Sequence, residues 1–369
     1  MLTNAMGLIL TDNRRVKLAP LDEPRALAAV PFAGRFRIID FTLSNMVNSG
    51  IRRVGIVALT RYKSLMDHIG TGAWWDLDRI RQGLYLIPPY VNPVTRTPDR
   101  TDAQGIIDYV EDGGQPYVII SSSDFVTNAN YRPMIDEHAA SGADMTVLYT
   151  RNDIVRSAHS VTLDVDENDM VRDVMIDYPH SPDAPNAIGL IVISRRLLLQ
   201  ILTEQLARGV GDVSIVGLLQ YHQRLQIHAM EHTPLLLRID DIASYFESSM
   251  KLLDDDVRRT LFSRERPIYT KAKNRAPCIV TSDNRIATNV LASDGCEIMG
   301  DVENSILFRG CVIGRNARVS NCVLFQDVQI SDGVELDHVI IDKNSVVRVG
   351  GRLLGQAGFP IAIAKNSIV

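Results

Sequence analysis

Three arginines, Arg25, Arg35 and Arg37, fall within thirteen residues of one another. A guanidinium fork matches the paired oxygens of phosphate or sulfate, so this cluster could hold an anion. Glu23 and Asp40 lie in the same stretch, and ion pairing with them competes with anion binding as the reading of any one arginine. Trp74 and Trp75, in GTGAWWDLDR, could stack on a base, although adjacent tryptophans in such a loop read more simply as a packing anchor. The four cysteines, Cys278, Cys296, Cys311 and Cys322, all fall late in the chain. None is spaced as a CxxC pair, so they read as buried structural thiols rather than metal ligands or redox centres.

Two kinds of element must position these residues. Up to about residue 240, apolar runs at 54–59, 117–120, 145–149 and 187–193 alternate with helical stretches, which predicts an α/β domain built on a mostly parallel sheet. One helix is expected from Pro133 to Gly142 and another from Arg195 to Ala207 before Gly209, each ending at a glycine. Phe246, Met250, Leu253, Val257 and Leu261 recur at steps of three and four, predicting one amphipathic helix over 245–262 that closes this domain. The segment RERPIYTKAKNRAPC breaks both periodicities and is expected to connect domains.

Beyond it the period becomes six. Leu307, Ile313, Val319 and Phe325 are six apart, and so are Val328, Val334, Ile340 and Val346, with Asn, Asp and Gly between them. This is the repeat of a left-handed parallel β-helix, whose regular apolar position points inward and stacks from coil to coil. The expected domains are therefore 1–262, a connecting 263–284, and a β-helix over 285–369 whose open ends need covering. Hexapeptide β-helices also host acyltransferases that use a histidine base, and His338 is the residue placed for that chemistry, without a second site feature beside it.

Composition bounds the partners. A chain of 369 residues holds about two domains, and 46% hydrophobic with 22% charged residues is an ordinary globular balance. A net charge of −5 offers no general basic field for nucleic acid. The longest apolar stretches fall short of the ~20 residues that span a bilayer, so no membrane partner is expected. The opening MLTNAMGLILTDNRR has no basic region before its apolar run and no small-residue cleavage site after it. It reads as a first strand rather than an export signal, with the cytoplasm as the expected location.

The runs RALAAVPFAGRFRIIDFTLSNMVNSGI, HIGTGAWWDLDR and VIIDKN, together with the terminal hexapeptide repeat, resemble glucose-1-phosphate adenylyltransferase over nearly the whole chain. The resemblance implies a nucleotidyltransferase-like, Rossmann-like domain ahead of the β-helix, and a reaction joining glucose 1-phosphate to ATP with release of pyrophosphate. Such a site needs backbone amides around the triphosphate, a cation on the developing charge, and carboxylates holding Mg²⁺. The family's Gly-Gly-x-Gly-x-Arg-Leu loop aligns here with Asp12 and Asn13 at the first two glycines, Arg15 at the third and Lys17 at the arginine. A carboxylate about 4 Å from a phosphate charge costs on the order of 4 kcal/mol at an effective dielectric near 20.

The family's Arg-x-Lys-Pro becomes Arg25-Ala26-Leu27-Ala28, so Leu27 replaces a lysine. Its Gly-Asp survives as Ser123-Asp124, leaving Asp124 as one metal ligand. An ungapped count places Arg238 at the second metal aspartate, which a shift of two or three residues would restore as Asp240 or Asp241. The sugar-phosphate Glu-Lys-Pro reads Asp177-Tyr178-Pro179, putting Tyr178 in place of the lysine. Losses of this kind remove roughly a millionfold in rate. The resemblance therefore points to the catalytically impaired partner subunit of the family, the GlgD type of glycogen synthesis. Mg²⁺ is expected only with residual activity, and the expected assembly is a tetramer with a catalytic homologue. In the family, the segment of Arg25, Arg35 and Arg37 binds phosphorylated or inorganic effectors. An active enzyme in which Arg14, Arg15 and Lys17 hold phosphate in a new arrangement is the alternative.

Overall fold

The computed structural model describes residues 4–11, 16–58, 60–89, 103–151, 160–177, 183–208, 213–281 and 287–369. The first domain runs β1 (Ala5–Leu10), the hairpin β2 (Pro31–Phe32) and β3 (Phe36–Arg37), α1 (Ile38–Asn48), β4 (Arg53–Val57), α2 (Lys63–Ile69) and β5 (Gly83–Ile87). It continues with α3 (Ala103–Glu111), β6 (Tyr117–Ser121), β7 (Phe125–Val126), α4 (Arg132–Ser141), β8 (Met145–Thr150), β9 (Val161–Val165), β10 (Val171–Ile176) and β11 (Asn186–Ser194). The last elements are α5 (Arg195–Ala207), α6 (Ile215–Leu219), β12 (Ile227–Glu231), β13 (Leu237–Arg238), α7 (Ile242–Lys251) and α8 (Asp255–Leu261).

The main sheet is ordered β10-β9-β11-β6-β1-β4-β5, with β8 beside β11 and β12 beside β8. Strands β6, β1, β4 and β5 are parallel, whereas β11 joins both β6 and β8 antiparallel. Strand β1 is buried on both faces, Ala5 and Ile9 entering one core and Met6 and Leu8 the other. This is why its sequence is a continuous apolar run rather than an alternating one. Helix α4 ends at Gly142 in the left-handed region, φ 68°, where glycine carries no Cβ penalty. The single helix expected over 245–262 is two: the Asp254 side chain accepts from the backbone N–H groups of Asp256 and Val257 and starts α8 afresh. Its apolar stripe nevertheless packs into one core as read.

The second domain is a left-handed parallel β-helix. Strand pairing begins at β14 (Ile279–Val280), inside the segment expected as a connector, because β14 lies in register on β16 (Glu297–Ile298). The preceding stretch is tied to α1, with the Tyr269 N–H donating to Ser44 Oγ at 2.9 Å and the Asn48 amide to Pro267 O at 3.0 Å. Between them β15 (Ala287–Ala292) pairs with β17 (Asp301–Leu307). The coils are not uniformly sixfold. Ile313 stacks on Ile330 and then Val347, and Val319 on Leu336 and then Leu353, so these middle coils repeat every 17 residues, with one corner a residue short. That missing residue changes the phase of the six-residue pattern, so Leu324, Ile341 and Val347 point inward, while Phe325 and Ile340, expected inward, face the first domain.

The first domain covers a side of the β-helix rather than an end. Ile306, Val323 and Ile340 form an outward column that shares a core with Phe32, Phe41 and Tyr245. Ring contacts carry the junction: Phe32 lies 6.2 Å from Tyr245, Tyr245 6.1 Å from Phe325, and Phe325 5.0 Å from Phe308. At the far end Phe359 and Ile368 remain exposed. Among the described residues no helix is long and apolar enough to cross a membrane.

Candidate functional site

Two regions hold the residues singled out by type and spacing. The first lies at the carboxyl ends of β1 and β6. Asp12, Asn13, Arg15 and Tyr178 fall outside the described residues. Lys17 is exposed, its N–H donating to Asp240 O at 2.8 Å. Leu27 is buried among Val16, Leu18, Leu21 and Phe32, so an apolar side chain fills the position where the family has a lysine. Asp124 is 8% exposed and accepts from the Ser122 hydroxyl.

Arg238 stands across from Phe125 in the β13–β7 pair, next to Asp124, and its Nη2 donates to Ala187 O at 2.8 Å. A buried guanidinium thus occupies the strand position that the ungapped count assigned to a metal carboxylate. Asp241 is committed elsewhere, accepting the Ser244 N–H at 2.7 Å as the N-cap of α7. Asp240 is buried at the end of β13, two residues beyond Arg238. Among the described residues no three His, Cys, Asp or Glu side chains gather into a group that could hold a metal ion. Of the two carboxylates the family's Mg²⁺ site uses, Asp124 is kept and Arg238 stands at the strand position of the other.

The second region is a small open cleft at the junction of the two domains. Arg35 and Arg37 enter it from the β2–β3 hairpin, His68 from α2, and Lys271 and Lys273 from the connecting stretch. Arg309, Gln326 and Lys343 enter from the β-helix. The hairpin turns through Ala33 and Gly34, both left-handed, at φ 52° and 75°. A Cβ at Gly34 would meet Ser293 Oγ at 2.9 Å, so glycine lets the hairpin tip approach the β-helix. Arg37 is anchored by its Nη1, which donates to Ser64 O at 2.6 Å and to Ser64 Oγ at 2.9 Å. His68 Nε2 lies 2.5 Å from Asp40 Oδ1, and the Arg37 N–H donates to Asp40 Oδ2 at 3.0 Å.

The electrostatics of this cleft point one way. Burial, then the Arg37 and Arg25 charges, bring the Lys343 ammonium down to about 7. Burial first, with Arg25 adding repulsion, brings Arg37 to about 10. Lys273 is lowered by burial and then by Arg37 and Arg309, and Arg309 by burial and then by Arg35. His68 is lowered by burial against the opposing pull of Asp40. Cations held together with too little counter-charge favour an entering anion.

Arg25 stands apart from its two sequence neighbours. It is 2% exposed, with its Nη2 2.9 Å from Asp342 Oδ2 and 3.0 Å from Oδ1, and its Nη1 donates to Leu21 O at 2.9 Å. Its guanidinium is spent on a buried cross-domain ion pair behind the cleft, which it influences only through its charge. Conversely, His68, Lys271, Lys273, Arg309 and Lys343 were not singled out from sequence. The 17-residue coil repeat was the available signal, since Arg309, Gln326 and Lys343 are each 17 apart and therefore share one corner.

Trp75 and His338 are structural. Trp75 is buried, packing on His68 with ring centroids 5.9 Å apart, while Trp74 is exposed. His338 has φ 50° at the corner where Asn304 and Asn321 stand in the coils before it. Its Nδ1 lies 2.9 Å from Asp337 Oδ1, and its ring packs 5.8 Å from Phe246 of α7. It therefore fills an asparagine-type corner against the first domain, which accounts for it without acyl transfer.

Known proteins resemble the chain along both domains. The family described as nucleotidyl transferase matches residues 7–174, and the GlmU-like C-terminal hexapeptide family matches 277–355. "Glycogen biosynthesis protein GlgD" of Geobacillus stearothermophilus is 35% identical over 318 residues, 85% of this chain and 82% of that protein. The protein of the same name from Bacillus subtilis strain 168 is 30% identical over 365 residues, covering 98% and 96%. Glucose-1-phosphate adenylyltransferase of Pseudothermotoga lettingae is 31% identical over 327 residues, covering 85% and 76%. With both domains matched, and relatives of this identity aligned over most of their length, the chain belongs to the glucose-1-phosphate adenylyltransferase family, in its GlgD type.

Proposed function

We propose that this chain is a catalytically impaired regulatory subunit of glucose-1-phosphate adenylyltransferase, which binds a phosphorylated sugar or an inorganic anion at the domain junction. It modulates ADP-glucose synthesis for glycogen formation by assembling with a catalytic homologue, in a tetramer. One contrast carries the reading. Leu27 and Arg238 fill positions where catalysis would need a lysine and a carboxylate, while the junction cleft keeps its cations facing open space. An anion there would touch the hairpin, the connecting stretch and the β-helix at once. It would relieve the mutual repulsion of Arg37, Lys343 and Lys273 and so stiffen the junction. If that stiffening favours one packing of the subunits, substrate binding in the partner tightens anion binding here by the same factor.

The test mixes the purified chain with a catalytic homologue. ADP-glucose formation should be near background for this chain alone. In the mixture a mixed oligomer should be seen by native mass, with a changed maximal rate, substrate affinity or effector response. Absence of a mixed oligomer together with unaltered kinetics ends the regulatory-subunit reading. Substantial turnover by this chain alone, abolished by Asp124→Asn, would support the active-enzyme alternative instead.

A further inference from the structure

Three of the four cysteines stand one above another in the β-helix. Ile279 lies opposite Glu297, and Glu297 opposite Val312, in parallel register. Cys278, Cys296 and Cys311 each precede one of these residues, so they occupy one position in three successive coils. Backbone bonds fix the spacing: the Ile279 N–H donates to Cys296 O at 2.8 Å, and the Glu297 N–H to Cys311 O at 2.9 Å. Adjacent strands lie about 4.8 Å apart, inside the span of about 4.4–6.8 Å between Cα atoms that a disulfide bridges. In-register parallel neighbours point their side chains to the same face, and Cys278 packs against the core that holds Cys296 and Cys311; the Cys296 thiol donates to Phe308 O at 3.1 Å and the Cys311 thiol to Phe325 O at 3.2 Å.

The three thiols differ in access and in acidity. Cys296 and Cys311 are fully buried, and Cys278 is half-buried. The neighbouring Cys311 and surrounding backbone groups lower the Cys296 thiol, while burial raises Cys278 and pushes Cys311 well up. The accessible thiol and the thiol most readily ionised are therefore different, and they stand in register one coil apart.

We propose that Cys278 and Cys296 form a redox-modifiable dithiol that a small organic disulfide converts into a bond closing the first coil. The Cys278 thiolate attacks one sulfur of the small disulfide, forming a mixed disulfide and releasing one small thiolate. The Cys296 thiolate then attacks the Cys278 sulfur and expels the second. Two cysteine thiols are oxidised, one small disulfide is reduced to two thiols, and the two protons pass to the released thiolates. Cys278 is the entry because solvent reaches it, and Cys296 resolves because it stands in register one coil from Cys278.

Trypsin separates the three positions, cutting after Arg275, Arg285, Arg309 and Arg315. The native full-length chain is incubated with glutathione disulfide, alkylated, and digested without reduction. The expected product joins residues 276–285 to 286–309, with free thiols in the denatured chain falling from four to two. A raised melting temperature that dithiothreitol reverses should accompany it. Cys296→Ser should stop at a glutathione adduct on Cys278, and Cys278→Ser should keep its three thiols under native conditions. The proposal is overturned if the unsubstituted chain holds the adduct on Cys278 without the cross-link. It is equally overturned if the linked peptides are 286–309 and 310–315. The peptide map of the unsubstituted chain decides the matter even if the serine variants fold poorly.

Discussion

If the junction cleft binds anions, its affinity for sulfate should fall as pH rises from 6 to 8, and Lys343 should be the reason. Its ammonium has been brought from 10.5 to about 7, mainly by burial and by the Arg37 and Arg25 charges. An entering anion favours the charged form, so binding raises this pKa and draws in a proton wherever the free cleft holds the neutral amine. The sign follows: affinity is full below the lowered pKa and declines above it. A group titrating at about 7 goes from roughly nine-tenths charged at pH 6 to one-tenth at pH 8, a factor of about ten in affinity or about 1.4 kcal/mol. Sulfate suits the test because its own charge is constant over this range, whereas phosphate gains charge as pH rises. Calorimetric titration at fixed ionic strength, in buffers of different ionisation enthalpy, should read uptake of about half a proton at pH 7 and about nine-tenths at pH 8. Lys343→Met should flatten the profile and abolish the uptake. His68 is lowered from its ordinary 6.5 by burial. A constant affinity from pH 6 to 8, or uptake that persists in Lys343→Met, would refute the reasoning.

Arg37→Glu should weaken sulfate binding roughly a hundredfold or more, since it removes a charge-assisted donor and adds a like charge; unchanged affinity in a folded variant would remove the site from consideration. Asp342→Asn leaves Arg25 buried without its counter-ion and should destabilise the chain by about 3–5 kcal/mol in denaturant titration, whereas Arg25→Met combined with Asp342→Leu should recover most of that loss. Phe325→Ala should cost about 3–5 kcal/mol and keep a single transition, because its ring belongs to a core shared by both domains; two separate transitions, with tryptophan fluorescence following the first domain, would contradict the shared core. In the isolated chain Asp124→Asn should leave the background rate of ADP-glucose formation unchanged in a coupled pyrophosphate assay.

The strands at 117–121 and 186–194, the helices ending at Gly142 and Ala207, and the change to a β-helix were all legible in the amino-acid order. Each rests on local physics: apolar runs buried on both faces, the left-handed Gly142 that ends the first of these helices, and a short-period repeat that stacks on itself. The replacement of a lysine by Leu27 was equally readable, because a missing ammonium needs no neighbour to identify it. Other features depended on what faces a residue across the fold. Arg25, Arg35 and Arg37 look alike in sequence, yet Arg25 meets a carboxylate 317 residues away while the other two open into the cleft. The break between α7 and α8 was hidden because the apolar stripe continues across it, whereas the Asp254 cap acts through backbone N–H groups that periodicity does not register. Arg309, Gln326 and Lys343 became neighbours only through a coil one residue shorter than the six-residue period suggested. Charge type is a property of the chain, but the role of a charge is decided by the counter-charges and solvent that tertiary packing leaves beside it.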